Sequence, residues 1–269
     1  MTVTIQAGQR LGVPGTNQQN SLGTDNPLLR KLGHFAAFDE ACWPAVEALF
    51  DRSKTVPRHR DLIKEGDNAS EVFLLLRGWA ARYNITANGE RQIMSFLVPG
   101  DVFPIHVMPV GKLDHGIVAL TTCHVAAMAA ERFDTAVLHH PEIAQAFWWI
   151  TIQDKGILRA WLVNIGHRDA YARIAHLICE VAARLQMVGL GDDLTFDFPL
   201  TQQEIADAQG LTPEHTNRML QRLRRDGLIE IDRKTLMILD PKRLCEVAEF
   251  NPAYLNPGAG VTAWHPRIA

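Results

Sequence analysis

The chain has 269 residues, of which 47% are hydrophobic, and a formal net charge of −3. This length suits one large domain or two modest ones, and the apolar content excludes a disordered chain. Because the chain is not basic overall, a nucleic-acid-binding surface would have to be a local cluster of Lys and Arg.

The first segment, residues 1–25, is rich in Gly, Gln, Asn and Thr, and we predict a mobile tail there. It has neither the basic start nor the apolar centre of a signal peptide. The most apolar stretch, residues 116–130, is shorter than the roughly 20 residues that span a bilayer. The sequence therefore predicts a cytoplasmic protein with no membrane partner.

The cysteines are Cys42, Cys123, Cys179 and Cys245, and none is close enough in sequence to another for a C-x-x-C motif. Zinc and iron–sulfur sites need several thiolates brought together. We therefore predict no metal site and interpret these residues as reduced, buried cysteines of a cytosolic protein.

Residues 26–140 predict a β-domain preceded by one or two short helices. The apolar spacing is helical over residues 26–50, with a break near Phe38-Asp39. Short apolar runs separated by turn residues then predict strands at 72–76, 80–85 and 92–98. Between two of them, Asn88-Gly89 predicts a hairpin with a type I′ turn, in which both residues take positive φ. Many short strands at regular spacing predict an antiparallel barrel or sandwich.

Residues 141–167 predict one long helix with an apolar seam. Residues along this seam recur every seven positions, and a polar Asn shares the position of the isoleucines, which is typical of a two-stranded coiled coil. We therefore expect a homodimer held by this helix; the alternative is that the seam is buried against the chain's own barrel. The predicted interface residues are Ile143, Phe147, Ile150, Ile157, Trp161 and Asn164.

Residues 168–250 predict a second helix to about Met187 and then a winged helix-turn-helix; residues 251–269 are predicted to be a C-terminal tail. Thr201 and Glu204 have the spacing of a capping box that starts a helix. Gly210 suits the tight turn that follows. Thr212 and Pro213 suit the cap and first turn of the next helix. Two short helices joined by a Gly-containing turn are typical of DNA-binding proteins.

The second of these helices divides into an inward and an outward face. Thr216, Leu220 and Leu223 should pack inward, and the outward face carries side chains that read base edges. We predict base contacts by Glu214, Asn217 and Arg218, since these residue types pair with cytosine, adenine and guanine respectively. Backbone or flanking contacts are predicted for Thr201, Gln202, Thr212, His215, Gln221, Arg222, Arg225 and, on a basic hairpin, Lys234. The alternative is an ordinary solvated helix pair.

The whole chain, over roughly residues 27–250, resembles the Crp/Fnr family of transcription regulators. The motifs that carry the resemblance are Glu65-Gly66-Asp67, Leu76-Arg77-Gly78, Pro99-Gly100-Asp101, Thr201 to Ala206 and Pro213 to Arg218. The resemblance implies an α+β fold: an N-terminal cyclic-nucleotide-binding-type β-roll, a long dimerisation helix and a C-terminal winged helix-turn-helix. It also implies a double-stranded DNA operator, RNA polymerase and a small-molecule effector as partners.

The sequence departs from the family where the effector would bind. No Glu or Arg stands at the positions of the family's phosphate cassette, and Asp114 would repel a phosphate, so we expect no cyclic AMP binding of the familiar kind. No cysteine precedes Cys42, which argues against the family's N-terminal iron–sulfur cluster. The candidate effector pocket is Phe103, His106 and His115; haem on His106 is the alternative to a chain without a cofactor.

These observations predict a sequence-specific DNA-binding transcription regulator that acts as a homodimer. An enzyme is the competing class of function. The chain has no G-x-G-x-x-G, P-loop, G-x-S-x-G or H-E-x-x-H motif, and its Asp and Glu residues suggest no paired acid/base site. We therefore predict that the protein is not an enzyme.

Overall fold

The computed structural model of the protein describes residues 26–34, 43–68, 70–105, 111–191 and 194–255. The predicted tail at 1–25, the helix break near Phe38-Asp39, Cys42 and His106 lie outside these residues. The chain first forms two short helices, α1 (Pro27–Leu32) and α2 (Trp43–Glu47). Strands then follow: β1 (Arg52–Val56), β2 (Asp61–Ile63), β3 (Glu71–Arg77), β4 (Ala80–Ile85), β5 (Arg91–Leu97), β6 (Val102–Phe103), β7 (Gly116–Ala119) and β8 (Cys123–Ala129).

The strands form two antiparallel sheets that face each other. The first sheet has the order β1-β8-β3-β6 and the second has the order β2-β7-β4-β5. On β3, Phe73 and Leu75 point into the space between the sheets, whereas Val72 and Leu74 point outward under the helices. Because both faces of this strand are covered, its sequence is a continuous apolar run rather than an alternating one.

The β4–β5 hairpin is present where Asn88-Gly89 predicted it, but its turn differs. Gly89 has a φ of +85°, whereas Asn88 is not among the described residues with positive φ. The Gly89 N–H donates to the carbonyl oxygen of Thr86 (2.9 Å). A type I′ turn needs positive φ at both central residues. The prediction of that turn type is therefore wrong, and the loop is a longer one that ends on a left-handed glycine.

Long helices follow the β-domain. They are α3 (Ala130–His139), α4 (Pro141–His167) and α5 (Ala170–Met187), and the predicted bounds of the long helix are confirmed. Asp169 caps α5 by accepting a hydrogen bond from the Ala172 N–H (2.8 Å). The two helices run antiparallel, because Trp161 contacts Glu180 while Gln153, two turns earlier, contacts Met187. None of the helices in the described part of the chain has the length and hydropathy needed to cross a bilayer.

The remaining elements form the winged helix-turn-helix. They are β9 (Thr195–Asp197), α6 (Gln202–Gln209), α7 (Pro213–Arg225), β10 (Ile229–Asp232), β11 (Thr235–Ile238), α8 (Pro241–Ala248) and a 3₁₀ turn (Pro252–Leu255). The wing is a three-stranded sheet of order β10-β11-β9. The predicted α+β architecture is confirmed. The predicted C-terminal tail needs a correction, because residues 252–255 pack on α4, where Gln153 donates to the Leu255 carbonyl oxygen (2.6 Å).

Apolar side chains pack on both faces of the β-domain. Helices α1 to α4 cover the outer face of the first sheet. The outer face of the second sheet packs, through Trp79, Ala81 and Phe96, against α5 and the winged helix-turn-helix. We call residues 170–255 the C-terminal domain. Its core is therefore continuous with the outer face of the second sheet within one chain.

Candidate DNA-binding interface

The turn between α6 and α7 is fixed by local hydrogen bonds. The Thr201 hydroxyl accepts from the Glu204 N–H (3.2 Å) and the Glu204 carboxylate accepts from the Thr201 N–H (2.7 Å), which is the predicted capping box. Gly210 follows with a φ of 62°. The Thr212 hydroxyl then accepts from the His215 N–H (3.2 Å) and caps α7. The angle between the two helices is therefore set by the residues that predicted it.

Helix α7 has one face in the domain core and one face in solvent. Thr216, Leu220 and Leu223 are buried, and the last two belong to the main apolar cluster of the C-terminal domain. Glu214 and Arg218 are exposed on the opposite side, and Asn217 between them is half-buried. A helix held by one apolar face with a polar face outward is the geometry that a major groove admits.

The carboxylate of Glu214 stays ionised on this face. Its own N–H at the start of the helix, followed by the Thr212 hydroxyl, hydrogen-bonds to it, and Arg218 lies one turn away. These interactions lower the pKa of Glu214 below its ordinary value. The outward face therefore presents a full acceptor beside a cation, as contacts to cytosine and guanine require.

The predicted flanking residues lie around this face. Thr201, Gln202, Thr212, Gln221, Arg225 and Lys234 are exposed, and His215 is half-buried. Lys234 follows Arg233, whose φ of 52° turns the β10–β11 hairpin. Arg222 is exposed but already engaged, because its guanidinium lies over the Tyr171 ring (4.2 Å to the centroid) and 3.7 Å from Asp226. DNA contact by all these residues stays a prediction.

Some residues that position this surface were missed in the sequence. Arg173 on α5 donates to the Gln209 carbonyl oxygen (3.0 Å) and satisfies the end of α6. Arg91 of the β-domain contacts the Asp207 carboxylate through two nitrogens at 2.8 Å. The Tyr171 hydroxyl donates to Asp226 at the end of α7 (2.6 Å). These partners are far apart in sequence, so no local pattern indicated them.

The structure corrects the assignment of the seam on α4. All the predicted interface residues are core residues of the single chain, with exposed fractions of 0–3%: Ile143, Phe147, Ile150, Ile157, Trp161 and Asn164. The Asn164 side chain donates to His176 (3.1 Å) and accepts from Arg168 (2.7 Å), so its polar group is satisfied within the chain. The heptad pattern therefore reflects burial against the chain's own domains, which was the alternative.

A different stripe of α4 is exposed. Leu162 is 74% exposed and Trp148 is 65% exposed, and both share with Lys155 a spacing of seven residues. Leu158 and Ile165, each 39% exposed, also lie seven apart on the adjoining positions. An apolar heptad stripe in solvent is uncommon on a single folded chain, and such patches mark interaction surfaces.

The candidate effector residues do not come together as a described pocket. Phe103 is fully buried between the sheets, with its ring centroid 6.0 Å from that of Phe73. The His115 ring nitrogen Nδ1 lies 2.7 Å from the Asp114 carboxylate. His106 lies outside the described residues. Within the described ranges, no group of three His, Cys, Asp or Glu side chains has the arrangement of a metal site.

A cleft of about 1130 Å³ opens elsewhere, between α1, the end of α5 and the wing. Its lining includes Arg30, Arg77, Trp79, Phe196 and Lys234. Neither Phe103 nor His115 lines it. The cleft lies where the β-domain meets the C-terminal domain.

Comparison with known proteins identifies both halves of the chain. The model of the Crp-like helix-turn-helix domain matches residues 172–247, and that of the cyclic nucleotide-binding domain matches residues 53–140. The chain belongs to the Crp/Fnr family. The Crp-like match covers the capping box, the recognition helix α7 and the wing described above.

Curated relatives in the Crp/Fnr family are regulators of transcription. The chain is 28% identical to the transcriptional activator protein FnrL of Cereibacter sphaeroides over 70% of its own length and 76% of that protein's. It is 27% identical to the nitrogen fixation regulation protein FixK of Bradyrhizobium diazoefficiens, over 68% and 76% of the two chains. The protein is therefore a Crp/Fnr-type transcription regulator with a helix-turn-helix domain and not an enzyme.

Solved structures share the Crp/Fnr fold. FixK2 from Bradyrhizobium japonicum matches with a TM-score of 0.67 and 21% sequence identity, covering 73% of this chain and 96% of that one. At this identity the match establishes the fold. It agrees with the β-domain, long helix and winged helix-turn-helix seen here.

Proposed function

We propose that this Crp/Fnr regulator recognises a specific operator in double-stranded DNA as a homodimer in the bacterial cytoplasm. The observation that carries the proposal is the outward face of α7, where Glu214 and Arg218 are exposed while Leu220 and Leu223 anchor the helix. A recognition helix needs both properties, since it must be rigid and must present its polar side chains to a groove.

Base readout is assigned to three side chains on this face. Arg218 has a fork of donors that fits the O6 and N7 acceptors of guanine. Asn217 suits adenine, and the ionised Glu214 accepts from the amino group of cytosine. Arg225 and Lys234 lie outside this group and carry the charge that attracts phosphates. Specificity and general affinity therefore belong to different residues.

The proposed dimer uses the exposed stripe of α4. Leu158, Leu162 and Ile165 lie three to four residues apart, and Trp148 continues the same side of the helix toward its start. Two copies of this helix side by side would bury these side chains as a coiled coil does. A second copy is also the partner that an operator with two half-sites requires.

The proposed effector domain does not take cyclic AMP by a phosphate cassette. The Asp114 side chain is 93% exposed and is the charged group nearest to His115. A cyclic phosphate would meet a carboxylate there instead of a guanidinium. The space between the sheets is filled by Phe73, Phe103 and Ile117. Titration with cyclic AMP should therefore give no binding heat at millimolar nucleotide, and measurable binding would contradict this part of the proposal.

Selection from a random DNA pool tests the main proposal. The purified full chain should enrich duplexes with two inverted half-sites whose centres are about 10 bp apart. Repeating the selection with added cell extract reports whether an effector is required. No enrichment under either condition would overturn operator recognition, and enrichment of single half-sites would overturn the dimer. The absorbance spectrum of the same sample should lack a Soret band, and such a band would favour haem on His106.

A further inference from the structure

Two cysteines that are far apart in sequence meet where α8 packs on α5. Cys179 on α5 has no exposed surface, and Cys245 on α8 is partly exposed. Leu244 and Ala248 flank Cys245 on its helix and are buried in the same apolar cluster as Cys179. The two thiol groups are hydrogen-bonded to each other across this contact. Both are free thiols.

The two thiols have different environments. Burial raises the pKa of Cys179 well above its ordinary value. The hydrogen bond from Cys179 lowers the pKa of Cys245 and outweighs the opposing effects of burial and Glu246. Because the thiolate is the reactive form of cysteine, the partly exposed Cys245 reacts first. Cys179 is then the only thiol in contact with it among the described cysteines.

We propose that Cys179 and Cys245 form an oxidation site at which a hydroperoxide converts the two thiols into a disulfide between α5 and α8. The Cys245 thiolate attacks the peroxide, an S–O bond forms, the O–O bond breaks, and hydroxide leaves and takes up a proton. The Cys179 sulfur then attacks the Cys245 sulfenic acid, and its proton leaves with the departing hydroxide as water. Two thiols are oxidised by two electrons, and one hydrogen peroxide becomes two waters.

Cys123 provides a control within the same chain. It is fully buried in the β-domain, and its thiol donates to the Trp79 carbonyl oxygen (3.1 Å). Burial raises the pKa of Cys123 to about 11. No thiol of the described residues hydrogen-bonds to it. The same oxidant should therefore leave Cys123 reduced.

The disulfide would act on the recognition helix, a consequence that rests on the proposed function. Arg243 on α8 contacts the Asp226 carbonyl oxygen at the end of α7 (3.4 Å), and Tyr171 on α5 contacts the Asp226 carboxylate (2.6 Å). An S–S bond of about 2.05 Å requires the two sulfurs to approach from hydrogen-bond contact. Helix α8 then moves relative to α5, and the end of α7 moves with it. Operator affinity should fall about fivefold or more.

Peptide mapping by mass spectrometry tests the site without reference to DNA. The purified full chain is treated with a small excess of hydrogen peroxide, alkylated and digested. The expected product is a peptide pair joined through Cys179 and Cys245, which dithiothreitol separates, with Cys123 alkylated as a free thiol. No linked pair, or disulfides only between two chains, would overturn the proposal.

Matched variants separate the roles of the two thiols. Cys179→Ala should leave a sulfenic acid on Cys245 that dimedone labels, and Cys245→Ser should abolish both the label and the linked pair. Equal labelling of Cys123 would contradict the proposed selectivity. Operator affinity measured before and after peroxide should fall in the wild type and not in Cys245→Ser. If the linked pair forms while affinity is unchanged, the effect on DNA is wrong and the oxidation site stands; if reduced protein binds no operator, the proposed function fails instead.

Discussion

Arg184 and Asp101 form a buried ion pair that joins α5 to the β-domain. Arg184 Nη2 lies 2.6 Å from Asp101 Oδ2, and neither side chain is more than 9% exposed. Lys31 contacts the other Asp101 oxygen (2.7 Å), and Glu180 lies 3.5 Å from Arg184. Burial alone would raise the pKa of Asp101, but Arg184 and Lys31 outweigh it and lower that pKa below its ordinary value. The pair is therefore ionised and compensated from several sides.

Replacing Arg184 by Met should destabilise the protein strongly. Asp101 and Glu180 would remain buried with part of their compensation gone, and breaking a buried pair in this way costs about 3–5 kcal/mol. The measurement is the free energy of unfolding in urea. Arg132→Met is the matched control, because Arg132 also lies 3.0 Å from a carboxylate, Asp51, but both side chains are about 45% exposed. It should lose less than about 1 kcal/mol, and equal losses would contradict the buried pairing.

His176 should make the stability depend on pH. Burial, followed by the charge of Arg168, lowers the pKa of His176 to about 3. In the unfolded chain a histidine takes up a proton near pH 6.5. Stability is therefore complete above about pH 6.5 and is lost as the pH falls toward 3. Between pH 7 and pH 5 the loss due to this residue should be about 2 kcal/mol.

The variant His176→Asn isolates this effect. It keeps an acceptor for Asn164 but does not titrate, so the other groups cancel when the two proteins are compared at both pH values. The variant should be less stable at pH 7, since the His176 ring packs 5.2 Å from that of Phe250. Its additional loss between pH 7 and pH 5 should be smaller than that of the wild type. Parallel pH curves would rule out a buried neutral histidine.

Two glycines on α4 should respond in opposite directions to alanine. A Cβ on Gly156 would lie 2.8 Å from the Tyr254 carbonyl oxygen, so Gly156→Ala should push the 3₁₀ turn off the helix and lower the melting temperature. A Cβ on Gly166 would meet nothing within 4 Å. Gly166→Ala should gain about 0.5–1 kcal/mol from helix propensity. A Gly156→Ala variant as stable as the wild type would show that the turn is not fixed there.

Arg218→Ala should lose discrimination at one base pair of the selected operator. The expected loss is about 1–3 kcal/mol for the preferred base and little for the other bases at that position. Arg225→Ala is the control, because a phosphate contact weakens binding to operator and random DNA alike. Binding isotherms on single-base operator variants distinguish the two. A uniform loss for Arg218→Ala would remove it from the base-reading set.

Leu162→Glu should dissociate the proposed dimer without unfolding the chain. Leu162 is 74% exposed in the single chain, whereas two glutamates would face each other in a paired helix. The dimer dissociation constant should rise about tenfold or more, ~1.4 kcal/mol. Ile157→Ala tests the other face, since it opens a core cavity costing about 2–5 kcal/mol. Sedimentation should show no change in dimerisation for Ile157→Ala, and the reverse pattern would restore the first seam assignment.

The architecture was predictable because its signals are local. The capping box at Thr201, the glycine at 210 and the cap at Thr212 each depend on residues within a few positions, and the structure has all of them. The strand bounds follow from short apolar runs for the same reason. The turn at Asn88 was assigned wrongly because several hairpin loops share a glycine and differ only in φ at neighbouring residues.

The partners of α4 were not predictable in this way. A heptad seam of Ile with one Asn suits a second copy of the helix and the chain's own core equally well, because both bury one apolar side. The deciding contacts, from Asn164 to His176 and from Trp161 to Glu180, depend on the chain folding back through α5. The meeting of Cys179 with Cys245 has the same origin.

The shared core between the second sheet and the C-terminal domain limits where the chain can be cut. Phe198 packs edge-on against Trp79 (6.3 Å between centroids), and Phe96 does so against Trp161 (5.7 Å). An excised helix-turn-helix fragment would carry half of each contact into water, as would the β-domain left behind. Fragments designed at the domain boundary should therefore aggregate, and the intact chain should melt in one transition.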